Sequence, residues 1–124
     1  VIDNGGRKDC TTWGDILTQA ALSKNIAGTL VNGAIRDVEL IVQTKYPAYS
    51  TAVYMRSGKN RVYKAEQQTS LLVSGVSINP GDIIIGDDNG VVVVPKEFLQ
   101  NVLEKVKNIS ELTYFEIYPS EFLI

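Results

Sequence analysis

The chain has 124 residues, of which 44% are hydrophobic and 21% charged, with a formal net charge of −2 at pH 7. That length suits one domain with a real core, and the near-neutral balance offers no basic field for nucleic acid. A single cysteine, Cys10, excludes an intrachain disulfide and points to a reduced, cytoplasmic setting. The chain has no histidine, which removes His-based triads, zinc sites with His ligands and the usual general base near neutral pH. Chemistry must therefore run on carboxylates, Lys, Arg, Tyr, backbone groups or a metal. No apolar run reaches the roughly 20 residues that cross a bilayer, and no charged leader precedes an apolar core, so a soluble protein without a membrane partner is expected.

Val1-Ile2-Asp3 reads as the second half of a strand entering an Asn4-Gly5-Gly6 turn, so the sequence is expected to lack an N-terminal segment. Thr11 and Thr12 are possible N-caps for a helix starting near Trp13, in which Ile16, Leu17, Ala20 and Ala21 recur at helical spacing. Asp15 sits in its first turn and Asn25 is a left-handed stop. Ile26 to Val31 is a short apolar run ended by Asn32-Gly33 and reads as a buried strand. A βαβ-like unit follows. Asp37 to Thr44 predicts a short helix with Asp37 as N-cap, and Tyr49 to Met55 predicts a strand that Ser57-Gly58-Lys59-Asn60 breaks. Leu71–Val73, Val76–Ile78, Ile83–Ile85 and Val91–Val94 are short strands joined by tight turns, a meander. Lys96 to Lys107 is an amphipathic helix, and the apolar tail from Ser110 to Ile124 is expected to dock, a neighbouring subunit being one candidate surface.

Asp15, Arg36 and Asp37 all fall at element ends, and that suggests chemistry. A helix start offers unpaired N–H groups to an anion. Arg36 next to Asp37 supplies a carboxylate clamp and an oxygen ligand for a hard cation. In this reading Asp37 holds the cation largely through water, Arg36 forks onto a substrate carboxylate or keto oxygen with help from the Ile16 and Leu17 amides, and Asp15 moves protons. The alternative is structural: Asp15 compensates the dipole, Asp37 caps a helix and Arg36 is its surface partner.

Four separated stretches resemble the RraA-like family in order: Val1-Ile2-Asp3-Asn4-Gly5-Gly6; Trp13-Gly14-Asp15-Ile16-Leu17; Gly28 to Asp37; and Pro80 to Pro95. This family includes metal-dependent (class II) pyruvate aldolases acting on 4-hydroxy-4-methyl-2-oxoglutarate, and the regulator of ribonuclease activity A. The resemblance implies a single RraA-like domain over residues 1–124. Its fold would be α/β: a β/β/α sandwich like the swivelling phosphohistidine domain, with a mixed sheet and short meander strands. It also implies a homotrimer or dimer of trimers with active sites between subunits.

The aldolase branch resembles Asp, twenty residues, then Arg-Asp, as Asp15, Arg36 and Asp37 provide. The regulator branch resembles Gly, twenty residues, Arg-Asp and an acidic residue three positions further, where this chain has Leu40, with Glu39 beside it. The resemblance therefore implies a carbon–carbon lyase that cleaves 2-oxo acids to pyruvate and decarboxylates oxaloacetate, with the non-catalytic regulator as the alternative. By position, Asp37 would ligate Mg2+ or Mn2+, and Arg36 would bind the pyruvyl group. Gly14, Ile16 and Leu17 would complete the substrate site, and Asp15 would orient a catalytic water. A carboxylate is also expected from the neighbouring subunit, for which Glu104 and Glu111 are candidates. The polar stretch Ser57 to Gln68 departs from the family's Gly/Pro-rich loop.

Overall fold

The computed structural model describes residues 1–113, with side chains described as far as Ile109, so the docking tail lies largely outside the described residues. The chain divides into two compact units, Val1–Ser77 and a second beginning at Ile78.

The first unit is built on one strand. β3 (Thr29–Ile35) pairs in parallel with β1 (Ile2–Asp3), β2 (Thr11–Trp13) and β4 (Ala48–Val53). The alternating outlook of strand backbone groups lets one strand serve three. Asn32 O, Ala34 N and Arg36 N bond toward the β1 and β2 side, whereas Thr29 N and Ile35 O bond toward β4. β1 and β2 thus follow one another along one edge. Helix α1 (Asp15–Ser23) connects β2 to β3, and α2 (Val38–Gln43) connects β3 to β4. These are two βαβ crossovers, as the alternation of patterns predicts.

Both helices end on a left-handed residue. Asn25 (φ 54°) and Lys45 (φ 54°) follow α1 and α2, and the amides of Ile26 and Tyr46 return to the carbonyls of Ala21 and Ile41, the doubly bonded stop that satisfies last-turn carbonyls. Val31, Ile35, Ala21, Ile41 and Tyr46 form the core, with Ile2, Trp13, Val38 and Ala48 packed on it.

Four expectations need correction. Thr11 and Thr12 are strand residues rather than helix caps, because β2 pairs with the far end of β3. The strand expected to stop at Val31 runs through Asn32-Gly33 to Ile35, because Asn32 Nδ2 bonds Asp3 Oδ1 at 2.8 Å and Gly33 faces backbone. A Cβ on Gly33 would lie 3.0 Å from Asn4 Cβ and 3.2 Å from Arg7 O, at φ +154°. The inward face of α1 is Thr18 and Ala21, leaving Ile16 and Leu17 exposed at 72% and 46%. Finally, the four-stranded sheet is wholly parallel rather than mixed. The short strands form separate two-stranded ribbons, β5 (Leu71–Val73) with β6 (Val76–Ile78) and β7 (Ile83–Asp87) with β8 (Gly90–Val94), since tight turns pair neighbours locally.

The second unit contains the antiparallel β7–β8 ribbon, then a 3-10 turn at Lys96–Phe98 and helix α3 (Leu99–Thr113). Asp82 staples the ribbon's base. It accepts the Asn79 amide at 2.8 Å and the Lys96 amide at 3.1 Å, and those donors, Asn79 first, hold its carboxyl below the usual carboxylate range. Among the described residues no helix is long and apolar enough to cross a membrane.

Replacing Gly33 by Ala adds a side chain where both the backbone angle and the space refuse one. The unfolding midpoint in urea should fall with m unchanged, corresponding to about 1–3 kcal/mol; an unchanged midpoint would show that β1 and its following turn do not press on β3.

Candidate active site

The site begins with how β2 hands over to α1. Gly14 is the N-cap of α1 and supplies no side chain to cap it, so the orphan amides of the first turn need an acceptor from elsewhere. Asp37, just past the end of β3, supplies one: its Oδ2 accepts the Asp15 amide at 3.3 Å and forms an ion pair with Arg36 Nε at 3.1 Å. Asp37 occupies the N-cap position of α2 but makes no side-chain cap there, and its backbone is left-handed (φ 56°, ψ 36°). The carboxylate expected to cap its own helix instead joins the start of the other one.

Gly14 is what lets them meet. A Cβ at this position would lie 2.7 Å from Asp37 Oδ2 and 3.1 Å from both Cγ and Nε of Arg36. Since Gly14 has extended backbone (φ −171°), the constraint is space and not chain conformation. Its carbonyl is pinned from below, accepting the Thr18 amide at 3.0 Å and the Thr18 hydroxyl at 2.9 Å. Thr18 Oγ1 in turn accepts the Trp13 indole N–H at 2.9 Å. Trp13 stacks on Tyr46 with centroids 6.0 Å apart, and the Tyr46 hydroxyl bonds Thr29 Oγ1 at 2.7 Å. A continuous polar and aromatic chain therefore links the core to the helix start. On the other side, the Arg36 amide bonds Trp13 O at 3.1 Å, fixing the end of β3 against β2.

Gly14, Asp15, Ile16, Leu17 and Arg36 line one cleft of about 300 Å³, whose opposite wall is Ser57, Gly58, Lys59 and Val62. Asp37 lies beside it and, with Arg36, Val53, Tyr54 and Met55, lines a second depression. The side chains of Arg36 and Asp37 are 32% and 34% exposed, so the pair is reachable from solvent. Arg36 pairs with Asp37 through Nε, and its two terminal nitrogens make no hydrogen bond with the described residues. The Ile16 and Leu17 amides, in the uncapped first turn, have no acceptor among the described residues. The arrangement thus presents a guanidinium fork and helix-start amides to an anion.

No group of three His, Cys, Asp or Glu side chains that could cage a metal occurs among the described residues. Asp37 Oδ1 accepts no hydrogen bond there, so the residues fit a hard cation held by one carboxylate and otherwise by water, as magnesium prefers. Glu104 lies on α3 in the second unit, and the side chain of Glu111 is outside the described residues.

The profile of the family described as RraA-like: Aldolase/RraA matches residues 1–93. The chain belongs to the RraA-like family. Protein DlpA of Legionella pneumophila is 61% identical over 105 residues, which is 85% of this chain and 17% of that protein. A protein of Halalkalibacterium halodurans named "Putative 4-hydroxy-4-methyl-2-oxoglutarate aldolase" is 37% identical over 109 residues, 86% of this chain and 50% of that protein. The crystal structure of an uncharacterised protein from Pseudomonas syringae pv. tomato superposes with a TM-score of 0.85 at 37% identity, over 89% of this chain and 56% of that one. The chain therefore spans half or less of the length of these two curated relatives.

For this RraA-like chain, sequence reasoning missed Thr18, which carries no motif but holds both Trp13 and Gly14, and it read the Ser57–Lys59 loop as a strand break and a departure from the family's loop without placing it in the cleft. The loop's place depends on Thr11 pairing with Ser57, a long-range bridge with no local signal.

Thr18→Val removes the acceptor for the Trp13 indole and the hydroxyl donor to Gly14 O while nearly keeping volume. A loss of about 1–3 kcal/mol in chemical denaturation is expected, with a red shift of the emission of Trp13, the only tryptophan. Stability and emission equal to the parent would remove Thr18 from the account.

Proposed function

We infer that this RraA-like domain is a divalent-metal-dependent aldolase that cleaves 2-oxo acids of the 4-hydroxy-4-methyl-2-oxoglutarate type to pyruvate, with oxaloacetate decarboxylation as a second activity. The observation that carries this reading is Asp37 Oδ2 bridging the first α1 amide and Arg36 Nε, which holds the Arg36 guanidinium beside the unbonded Ile16 and Leu17 amides. A relative named as an aldolase, aligned over most of this chain, supports the same reading.

In the proposed reaction the pyruvyl carboxylate and keto oxygen bind the terminal nitrogens of Arg36 and the Ile16 and Leu17 amides. The bond between C3 and C4 breaks, its electron pair moving into the C2 carbonyl to give the pyruvate enolate. The proton of the C4 hydroxyl leaves to a water oriented by Asp15, and the enolate takes a proton at C3. Arg36 stabilises the charge that grows on the keto oxygen, the kind of preorganised electrostatics that dominates such barriers. A Mg2+ or Mn2+ ion held by Asp37 would add Lewis-acid polarisation of that oxygen. Oxaloacetate loses carbon dioxide through the same enolate, which is why both activities belong to one site.

The exposed apolar side chains of Ile16, Leu17, Val42, Val53 and Met55 support assembly as a homotrimer or dimer of trimers, with a neighbouring subunit completing the site. The β/β/α sandwich likeness to the swivelling phosphohistidine domain and a cytoplasmic location belong to the same proposal. The family description also names RraA, so a non-catalytic protein-binding role is the second reading.

Oxaloacetate in magnesium buffer should yield pyruvate at a rate that EDTA abolishes and added magnesium restores. Arg36→Lys and Asp37→Asn should each lower kcat/KM about a hundredfold or more. A folded, oligomeric preparation releasing no metal-dependent pyruvate from either substrate would favour the second reading.

A further inference from the structure

The chain carries a net charge of −2, and two of its carboxylates, Asp15 and Asp37, stand at the site. A doubly charged acid approaching such a surface is repelled unless the local field differs from the average. It does differ here. Residues 56–64 contain Arg56, Lys59, Arg61 and Lys64 and no Asp or Glu, and this stretch walls the cleft through Ser57, Gly58 and Lys59.

Contacts fix where two of these charges stand. Arg61 Nη1 donates to Ser57 O at 3.3 Å and to Lys59 O at 3.1 Å, so its guanidinium lies against the backbone of two residues that line the cleft. The Arg61 amide closes on Gly58 O at 2.8 Å, and its carbonyl accepts Arg7 Nη1 at 3.3 Å. Arg56 leads into the wall. Its carbonyl accepts the Thr11 amide and hydroxyl at 3.0 and 3.2 Å, and its guanidinium stands 5.9 Å from the centre of the Tyr54 ring.

Both arginines are exposed, and neither makes an ion pair with the described residues. The carboxylate nearby is Asp9, and Arg7 pairs with it at 3.0 Å. That Arg7 hydrogen bond is the first cause holding the Asp9 carboxyl below the usual range, with Arg56 adding a smaller attraction. The positive charge beside the cleft is thus largely uncompensated. A unit charge about 10 Å from a doubly charged acid in water favours it about twofold at low salt and hardly at high salt, so charges that never touch a ligand still concentrate it.

We propose that Arg56 and Arg61 form a cationic rim that gathers doubly charged oxo acids at the cleft by long-range attraction alone. The rim rests on the keto-acid reading of the cleft and adds to it the charge class of acid that the surface concentrates. It makes no bond to the acid, so charge is what counts at these two positions, and neither shape nor hydrogen bonding.

The test is calorimetry at fixed magnesium with two unreactive acids of equal length, 2-oxoglutarate and the singly charged 2-oxopentanoate. At low ionic strength Arg56→Glu/Arg61→Glu should weaken 2-oxoglutarate about twentyfold and 2-oxopentanoate about fivefold, and in high salt neither by more than about threefold. Arg56→Lys/Arg61→Lys keeps both charges and should stay within about twofold of the parent at either salt. Should changes at Arg61 disturb the loop, Arg56→Glu alone, which loses no side-chain hydrogen bond to the described residues, should still weaken 2-oxoglutarate about fivefold at low salt. A loss that persists in high salt, an equal loss for both acids, or a lysine variant as weak as the glutamate one overturns the rim. Binding graded by charge and salt in this way, without pyruvate release from oxaloacetate or 4-hydroxy-4-methyl-2-oxoglutarate, sinks the aldolase reading and keeps the rim. Pyruvate release with binding indifferent to these two charges does the reverse, and a parent that binds neither acid overturns both.

Discussion

One carboxylate oxygen, Asp37 Oδ2, accepts the first amide of α1 and pairs with the charged Nε of Arg36. Through it, the end of β3 and the start of α1 become a single surface. The magnitudes argue that this contact is kept for position rather than for stability. A partly exposed ion pair contributes about 0–1 kcal/mol, while holding a non-glycine residue in the left-handed region costs roughly 1 kcal/mol or more, Asp being among the residues that tolerate it best. Asp37 is so held, at φ 56°. The two terms nearly cancel, and what remains is an oriented guanidinium whose terminal nitrogens make no hydrogen bond with the described residues.

That orientation depends on layers beneath it. Gly14 leaves the space that the carboxylate occupies, Thr18 pins the Gly14 carbonyl and the Trp13 indole, and Trp13 stacks on Tyr46 in the core. A parallel sheet sets this up: its strands point the same way, so the loops after β2 and β3 meet at one end, the usual place for sites in open parallel sheets. The loop after β4 arrives at the same end and supplies the opposite wall. Three consecutive strand ends of one compact unit thus furnish all the residues of the cleft.

Much of this was readable from residue order. The helix and strand alternation through Val53, the left-handed stop at Asn25 and the grouping of Asp15 with Arg36 and Asp37 follow from periodicity, turn chemistry and element ends. What was not readable depended on partners distant in sequence. Asn32-Gly33 has the composition of a turn yet continues β3, because Asp3 binds Asn32 and the neighbouring chain approaches Gly33 too closely for a side chain. Ile16 and Leu17 sit at helical spacing but stay exposed, since Thr18 and Ala21 occupy the inward face. Asp37 reads as a cap for α2, and only the approach of Gly14 turns its carboxylate toward α1.

The most direct measurement of the central claim is the oxaloacetate kcat/KM of Gly14→Ala in magnesium, on material whose circular dichroism matches the parent. The extended backbone at Gly14 accepts alanine, so the fold is expected to persist while the new methyl displaces Asp37 and Arg36. A loss of about a hundredfold is predicted, the scale of effect that misplacement by about an ångström produces. Parental activity in that variant would contradict the claim that this shared oxygen sets the site.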